Sequence, residues 1–554
     1  MYSCRNRPLP WNGPSLQQPR NQLILEQLQN DSIPPLMDMS FFAKPSWASP
    51  AQHNFSGKIT IPQTPIVFPL IRELRSGENV FPACELAFIS HQGELIPRQK
   101  RIIHTKGDSY WDIILGTGAI WQEETDDSWS RASFPFTLTD RYMGQTRNCV
   151  GTFLYQKEEI SKLCIQCSQE TADVDDRQLG NMQGKLEASF QAKMYEDSAK
   201  IVQQHKAFNN NRLQVLPLDQ IDQNGRVAAY FEKGIYTNAS TSIGAILLSD
   251  TLYIHPPNTR HGRYPYPNDM RFGLYSVTKS MAGALSLCYL AQRYGSEIFN
   301  AKITDYVPAM ASQPAWQGVS FSHCLNMVTG TVGSERAEHL LEPMIIPLKA
   351  EEAIHNISTL GDEVPGPGEA FNYASTNFFV LSYAMQSFVQ EKEGTDSSYW
   401  ELVRKHVLEP VGAGDLHLLH TIEDSTLGIP WLAYGICPTI DEAAKIALLF
   451  ANEGRYKGRQ LLHPDRVREI FGKSNWEGHS TQNDFRGSGY HHSFWSKTIH
   501  TSSCPVEIRY MLGFGENYVV FLPSGTVIFR FLDEHDLNID KLIKSVEEIR
   551  SSCQ

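Results

Sequence analysis

Near residue 181 the texture of this chain changes, and that change constrains the fold more than any single motif. From about 50 to 180, short β-rich runs carrying aromatics, such as DSYWDIILGTGAIW, RASFPFTLTD and CVGTFLYQK, alternate with Gly, Asp and Asn. The pattern predicts an all-β sandwich or a curled sheet. From about 213 on, strands open and close the segment while helices and turns fill its middle. STSIGAILLSDTLYIHP reads as a hairpin, and NYVVFLPSGTVIFRF as two strands around Pro523-Ser524-Gly525. NIDKLIKSVEEIR gathers Ile539, Leu542, Ile543, Val546 and Ile549 on one helical face. A sheet completed by both ends of a segment, with helices between, is an α+β domain. At 554 residues the chain is too long for one core. The expected organisation is a mobile Pro-, Asn- and Gln-rich arm over 1–48, a β-rich domain over 49–180, a connecting helix and linker over 181–212, and a second domain over 213–554.

The net charge of −12 argues against a general nucleic-acid binder, which needs a basic surface to displace counterions. No apolar run is long enough to span a bilayer. The start, MYSCRNRPLPWNGPSLQQPRN, has no apolar core of a signal peptide, so the expectation is cytoplasmic, or exported if the true start lies elsewhere. Cys164 and Cys167 form one CxxC without a second pair or a βαβ setting, which reads as plain thiols, with a disulfide open to an exported chain. No cofactor motif is present. His417 and His420 lie one turn apart without a third ligand nearby, so no metal is expected.

One short stretch carries chemistry. In YSVTKSMAGALSLCYLAQRYG, Met281, Leu285 and Cys288 fall on one stripe and Gly295 ends the helix. Ser276 then sits at the helix N-terminus, with Lys279 one turn on and on the same face. A serine hydroxyl becomes a nucleophile when a neighbouring base takes its proton. A helix N-terminus offers an N–H donor to an oxyanion. The bland alternative is a serine cap followed by a surface lysine. Downstream, PGPGEAFNYASTNFFVLSYAM presents Tyr373, Ser375 and Asn377 at a Gly/Pro-rich turn before a buried helix. A tyrosine beside an active serine can relay protons.

SVTK followed by YASTN resembles the serine hydrolases of the class C β-lactamase and D-alanyl-D-alanine carboxypeptidase superfamily, which includes penicillin-binding proteins and many esterases. VSFSHCLNMVTGTVG, KHVLEPVGAGDLH and AYGICPTIDEAAKIALLFANEGRYKGRQLL resemble further family segments in the same order, over roughly 215–554. Thr439 and Glu442 give the last of these helices its own capping box. The resemblance implies Ser276 as the acylated nucleophile, Lys279 as its base partner and Tyr373 sharing the proton transfers. Ser375 takes a place usually held by Asn. The implied fold is an antiparallel sheet backed by helices, with a helical insert and the site between them.

The third family motif, K-T-G or H-x-G, is altered. In MLGFGENYVVFLP, Phe514 stands where Lys or His is usual, followed by Gly515 and Glu516. Phe cannot hold a carboxylate by charge. The backbone N–H of Asn517 is the expected second oxyanion donor. Ser375, Asn377, Phe514, Gly515 and Asn517 are therefore the candidate substrate contacts. The expected substrate is a neutral or cationic ester or amide of a small molecule. A binding or scaffold protein that kept the fold, and an acyltransferase sharing the acyl-enzyme, are the alternatives. His491 and His492 read as packing, and Trp111, Trp121 and Trp129 as packing of the β-rich domain rather than a carbohydrate surface.

Overall fold

The computed structural model describes residues 20–68, 74–169, 171, 181–231, 241–255, 257–347, 349–361, 366–423, 426–482, 484–532 and 539–553. The first nineteen residues of the expected arm lie outside the described residues.

The β-rich region is one curled antiparallel sheet of ten strands, the second of the two expected forms. Its order runs Met182–Leu186, Leu163–Gln169, Thr146–Tyr155, Ser130–Asp140, Gly118–Trp121, Glu94–Pro97, Cys84–His91, Ser56–Ile61 and Ser189–Ala192, with Trp111–Leu115 also paired to Ser130–Asp140. Val67, just beyond Ser56–Ile61, exchanges backbone hydrogen bonds of 2.9 and 3.1 Å with Gln183 at the opposite end, so the curl draws the two ends together. Phe55, Phe88, Phe134, Phe136, Phe153 and Tyr155 fill the inside. Trp111, Trp121 and Trp129 are all buried, and the indole N–H of Trp111 donates to Glu78 O.

Three expectations need correction here. The segment KLEASFQA is not helical: it supplies the strands Met182–Leu186 and Ser189–Ala192, and the helix begins only at Ser198, running to Asn210. Alternation in MQGKL, buried at every second residue, won over helical spacing. The arm is folded from Arg20 on. Leu23, Leu28, Met37, Met39 and Phe42 are 0–4% exposed, wedged between the outer face of the curled sheet and the second domain. Gln166 and Lys185 bind the arm's backbone at Met37, Gln27 and Asn30. Composition read as disorder because these anchors are widely spaced among polar residues. Finally, Cys167 is bonded to Cys149 on the neighbouring strand, and Cys504 to Cys553, while Cys164 stays free and buried.

The second domain is built on nine strands ordered Gln214–Pro217, Thr251–His255, Thr241–Leu248, Val527–Leu532, Asn517–Phe521, Pro505–Gly513, Phe494–His500, Gly489–His491 and His479–Ser480. Only the first pair is parallel. The early strand Thr241–Leu248 pairs directly with the late strand Val527–Leu532. This is the mixed α+β architecture expected from a sheet closed by both ends. The helix Ile440–Ala451 starts with the Thr439–Glu442 capping box, and Asp540–Ile549 buries Leu542, Ile543 and Val546. No helix among the described residues is long and apolar enough to cross a membrane.

Candidate active site

The stretch from Tyr275 to Tyr294 runs without a break from a turn into a buried helix, whose first part, Lys279–Ala284, is wound as a π-helix. Tyr275 holds a φ of +44°, sparsely populated for a residue with a side chain. That turn directs Ser276 away from the helix. The turn is stitched from below: Phe272 N donates to Pro438 O, Leu274 N to Ile436 O, and Ile436 N to the Thr278 hydroxyl. The same 431–438 segment contributes Ala433 O to the site.

Lys279 is 1% exposed. Its Nζ lies 2.9 Å from each of three oxygens: Ser276 Oγ, Ser375 Oγ and Ala433 O. It also sits 5.0 Å from the Tyr373 ring centroid and 5.7 Å from that of Phe378. The surface-lysine alternative is thereby excluded, and the structure brings Ser276, Lys279, Tyr373 and Ser375 together. Tyr373 arrives by its ring. It stacks on Trp495 at 5.6 Å and 26°, and the Arg486 guanidinium lies 4.1 Å from its centroid. Its hydroxyl makes no hydrogen bond among the described residues. Arg486 is itself paired with both oxygens of Asp484.

Ser375 is placed for a different task than substrate contact. It is buried, and both its backbone N–H and its hydroxyl reach Glu335, at 2.7 and 2.9 Å. Asn377 also faces inward. Its Oδ1 accepts from Thr329 Oγ1 and its Nδ2 lies 3.7 Å from Met327 Sδ, so it braces the turn instead of lining the cleft. The side chain of Asn517 is likewise buried: Nδ2 donates to Phe514 O and Oδ1 accepts from Leu532 N. It holds the hairpin tip Phe514-Gly515-Glu516, where Gly515 and Glu516 adopt φ of +75° and +56°. Phe514 is 40% exposed and meets the Tyr275 ring edge-on at 5.4 Å. The strand end before it is flush with the nucleophile turn, since a Cβ on Gly513 would lie 2.1 Å from Leu274 O.

His492 is held by Glu469 and Asn326 beneath Trp476, and burial lowers its pKa despite the carboxylate. Burial takes His491 down to about 3. Both are packing residues. No group of His, Cys, Asp and Glu among the described residues is arranged to hold a metal. Sequence reasoning missed Glu335, Ala433, Arg486 and Trp495. Glu335 lies in the unpatterned GSERAE, and Ala433 acts through a carbonyl that every residue carries.

The β-lactamase family model matches residues 250–426, which contain Ser276, Lys279, Glu335, Tyr373 and Ser375. This segment resembles β-lactamase domains. No curated protein matches the chain. Among solved structures, a penicillin binding protein from Bacillus halodurans is similar at 14% identity over 60% of this chain and 98% of that one, with a TM-score of 0.42. A class C β-lactamase is similar at 14% identity over 63% and 97%, TM-score 0.42. The D-amino acid amidase from Ochrobactrum anthropi SV3 is similar at 15% identity over 60% and 100%, TM-score 0.42. The matched segment ends before the strand Pro505–Gly513, so the strand end that abuts the nucleophile turn at Leu274 comes from residues beyond the match.

Proposed function

We propose that this β-lactamase-like domain is a serine hydrolase acting through an acyl-enzyme on a neutral or cationic ester or amide of a small molecule. The carrying observation is the 2.9 Å contact between the buried Lys279 Nζ and Ser276 Oγ. In the proposed reaction the neutral amine of Lys279 takes the hydroxyl proton as Ser276 Oγ bonds to the carbonyl carbon, and the carbonyl π pair moves to oxygen. The backbone N–H of Ser276 is one donor to that oxyanion. Collapse expels the alcohol or amine, which takes a proton from the Lys279–Tyr373 pair. Water then attacks the acyl carbon by the same route in reverse.

The choice of substrate rests on the charges around the cleft. Phe514 offers an apolar ring where an anion-binding Lys would stand. Arg486 is neutralised by Asp484. The half-buried rings of Tyr373 and Phe371, backed by the buried Trp495 and Tyr490, present an aromatic surface suited to an apolar acyl or leaving group. Phe514→Lys is accordingly expected to raise kcat/KM for carboxylate-bearing esters about tenfold relative to their neutral analogues, in line with one charge-assisted contact. Paired kinetics on a succinyl and a butyryl ester check it. Two disulfides support the exported alternative for the chain's compartment over the cytoplasmic one.

The direct test is intact mass after incubation with a fluorophosphonate probe. One adduct is expected on the wild type and none on Ser276→Ala. A folded wild type that takes no adduct overturns the hydrolase reading in favour of a binding protein.

A further inference from the structure

Ser375 occupies a position where the family resemblance puts Asn. The exchange matters for hydrogen-bond direction. The amide oxygen of Asn only accepts, whereas a serine hydroxyl can donate or accept. Facing the nitrogen of Lys279 at 2.9 Å, a freely rotating Ser375 hydroxyl would compete with Ser276 for the amine lone pair. A base whose lone pair is engaged by the wrong hydroxyl does not abstract a proton.

Glu335 removes that ambiguity. Its two oxygens are both used on Ser375: Oε1 accepts from the backbone N–H at 2.7 Å, and Oε2 accepts from the hydroxyl at 2.9 Å. A carboxylate has no proton to give. The single hydroxyl proton of Ser375 therefore points to Glu335, and its oxygen faces Lys279 as an acceptor only. Ala433 O, the third neighbour of Nζ, is also an acceptor only. A neutral amine has two N–H bonds and one lone pair. With both N–H bonds drawn to Ser375 Oγ and Ala433 O, the lone pair has one remaining direction, toward the hydroxyl of Ser276.

We propose that Glu335 is a positioning residue that fixes the hydrogen-bond polarity of the site, so that the free amine of Lys279 aims its lone pair at Ser276. The proposal rests on the serine–lysine reading above and extends it to a residue outside both motifs. Glu335 is exposed on its outer side and makes no hydrogen bond to Ser276 or Lys279. Its action passes through Ser375.

Glu335→Gln is the discriminating variant. Glutamine has one carbonyl oxygen, which the fixed backbone N–H of Ser375 claims. Its NH2 group then donates to Ser375 Oγ and turns the hydroxyl proton onto Lys279, reversing the polarity in an isosteric side chain. The measurement is the rate of fluorophosphonate adduct formation on Ser276, resolved into probe affinity and maximal rate, with folding followed by thermal melts. Glu335→Gln is expected to lower the maximal rate about 10- to 100-fold, part of what a general base contributes, with probe affinity unchanged. Adding Ser375→Asn restores an oxygen that only accepts. The double variant is expected to react within about threefold of Ser375→Asn alone, a rescue that a merely structural glutamate would not show. Should Glu335→Gln not fold, this comparison of the double variant with Ser375→Asn carries the test. A Glu335→Gln protein reacting at the wild-type rate, or a double variant more than about tenfold slower than Ser375→Asn, overturns the proposal. In either case a wild-type adduct on Ser276 leaves the hydrolase reading standing. Absence of any wild-type adduct removes that reading and this proposal with it.

Discussion

Lys279→Met is expected to lower the rate of acylation of Ser276 by about 10²- to 10⁴-fold while leaving the chain folded, the range that a positioned general base supplies. The two effects separate because of where the side chain sits. Lys279 is 1% exposed, and its Nζ lies 5.0 Å from the Tyr373 ring centroid and 5.7 Å from that of Phe378, so an unbranched thioether of similar length fills much of the same apolar space. What is lost is polar. Ala433 O gives up its donor, and an unsatisfied buried acceptor costs about 1–3 kcal/mol. The melt should therefore move by only a few degrees, whereas the probe reaction all but stops. Adduct formation and thermal melts on the same preparation check both halves. A variant that reacts at the wild-type rate removes Lys279 as the base. One that fails to fold would mean the lysine is structural first.

The Ser276–Lys279 pair was legible in the sequence because helix geometry sets the two residues one turn apart and the YASTN stretch downstream completed a family resemblance. Tyr373 was legible as the head of the YASTN stretch, set by a Gly/Pro-rich turn before a buried helix. The turn at Phe514 was found only through the resemblance to the family's third motif, since the strands flanking it are almost wholly buried and do not alternate. What escaped detection depends on contacts between distant segments. Glu335 reaches Ser375 across 40 residues, and Ala433 meets Lys279 across 154. No local pattern encodes either. Asn377 escaped for a related reason. A polar residue beside a site suggests substrate contact, yet its amide is spent on Thr329 and Met327 inside the protein, as a buried amide must be, whereas at Asn517 only the side-chain amide is so used and the expected role belongs to its backbone N–H. In the N-terminal half the textures were right and the boundaries were not. Leu23, Leu28 and Met37 are anchors too sparse to register in composition, although each is almost wholly buried.

The curled sheet bears on the chemistry although it contributes no residue to the Ser276–Lys279 pair. Asn148, on the strand Thr146–Tyr155, is fully buried and grips the backbone of Arg271 from both sides: Nδ2 donates to Arg271 O at 3.0 Å, and Oδ1 accepts from Arg271 N at 2.9 Å. Two residues on, Gly273 N donates to the hydroxyls of Thr146 and Thr171, and a Cβ on Gly273 would lie 2.3 Å from Gly144 O. The segment leading to Ser276 is thus clamped between the curled sheet on one side and residues 436–438 on the other. Asn148→Leu keeps the volume and removes both amide contacts, leaving the N–H and C=O of Arg271 without them in a buried interface. Arg271 O keeps a 3.2 Å hydrogen bond from Thr146 Oγ1, so only the N–H is orphaned, and the local destabilisation is about 1–3 kcal/mol. The expected result is faster amide exchange across residues 264–280, with a fall in turnover of more than about tenfold because the Tyr275 turn is strained and depends on its surroundings to persist. Hydrogen-exchange mass spectrometry beside ester kinetics checks it. Unchanged exchange with wild-type turnover would mean that the sheet is an independent neighbour. Coupled changes would make it part of the scaffold that holds the nucleophile.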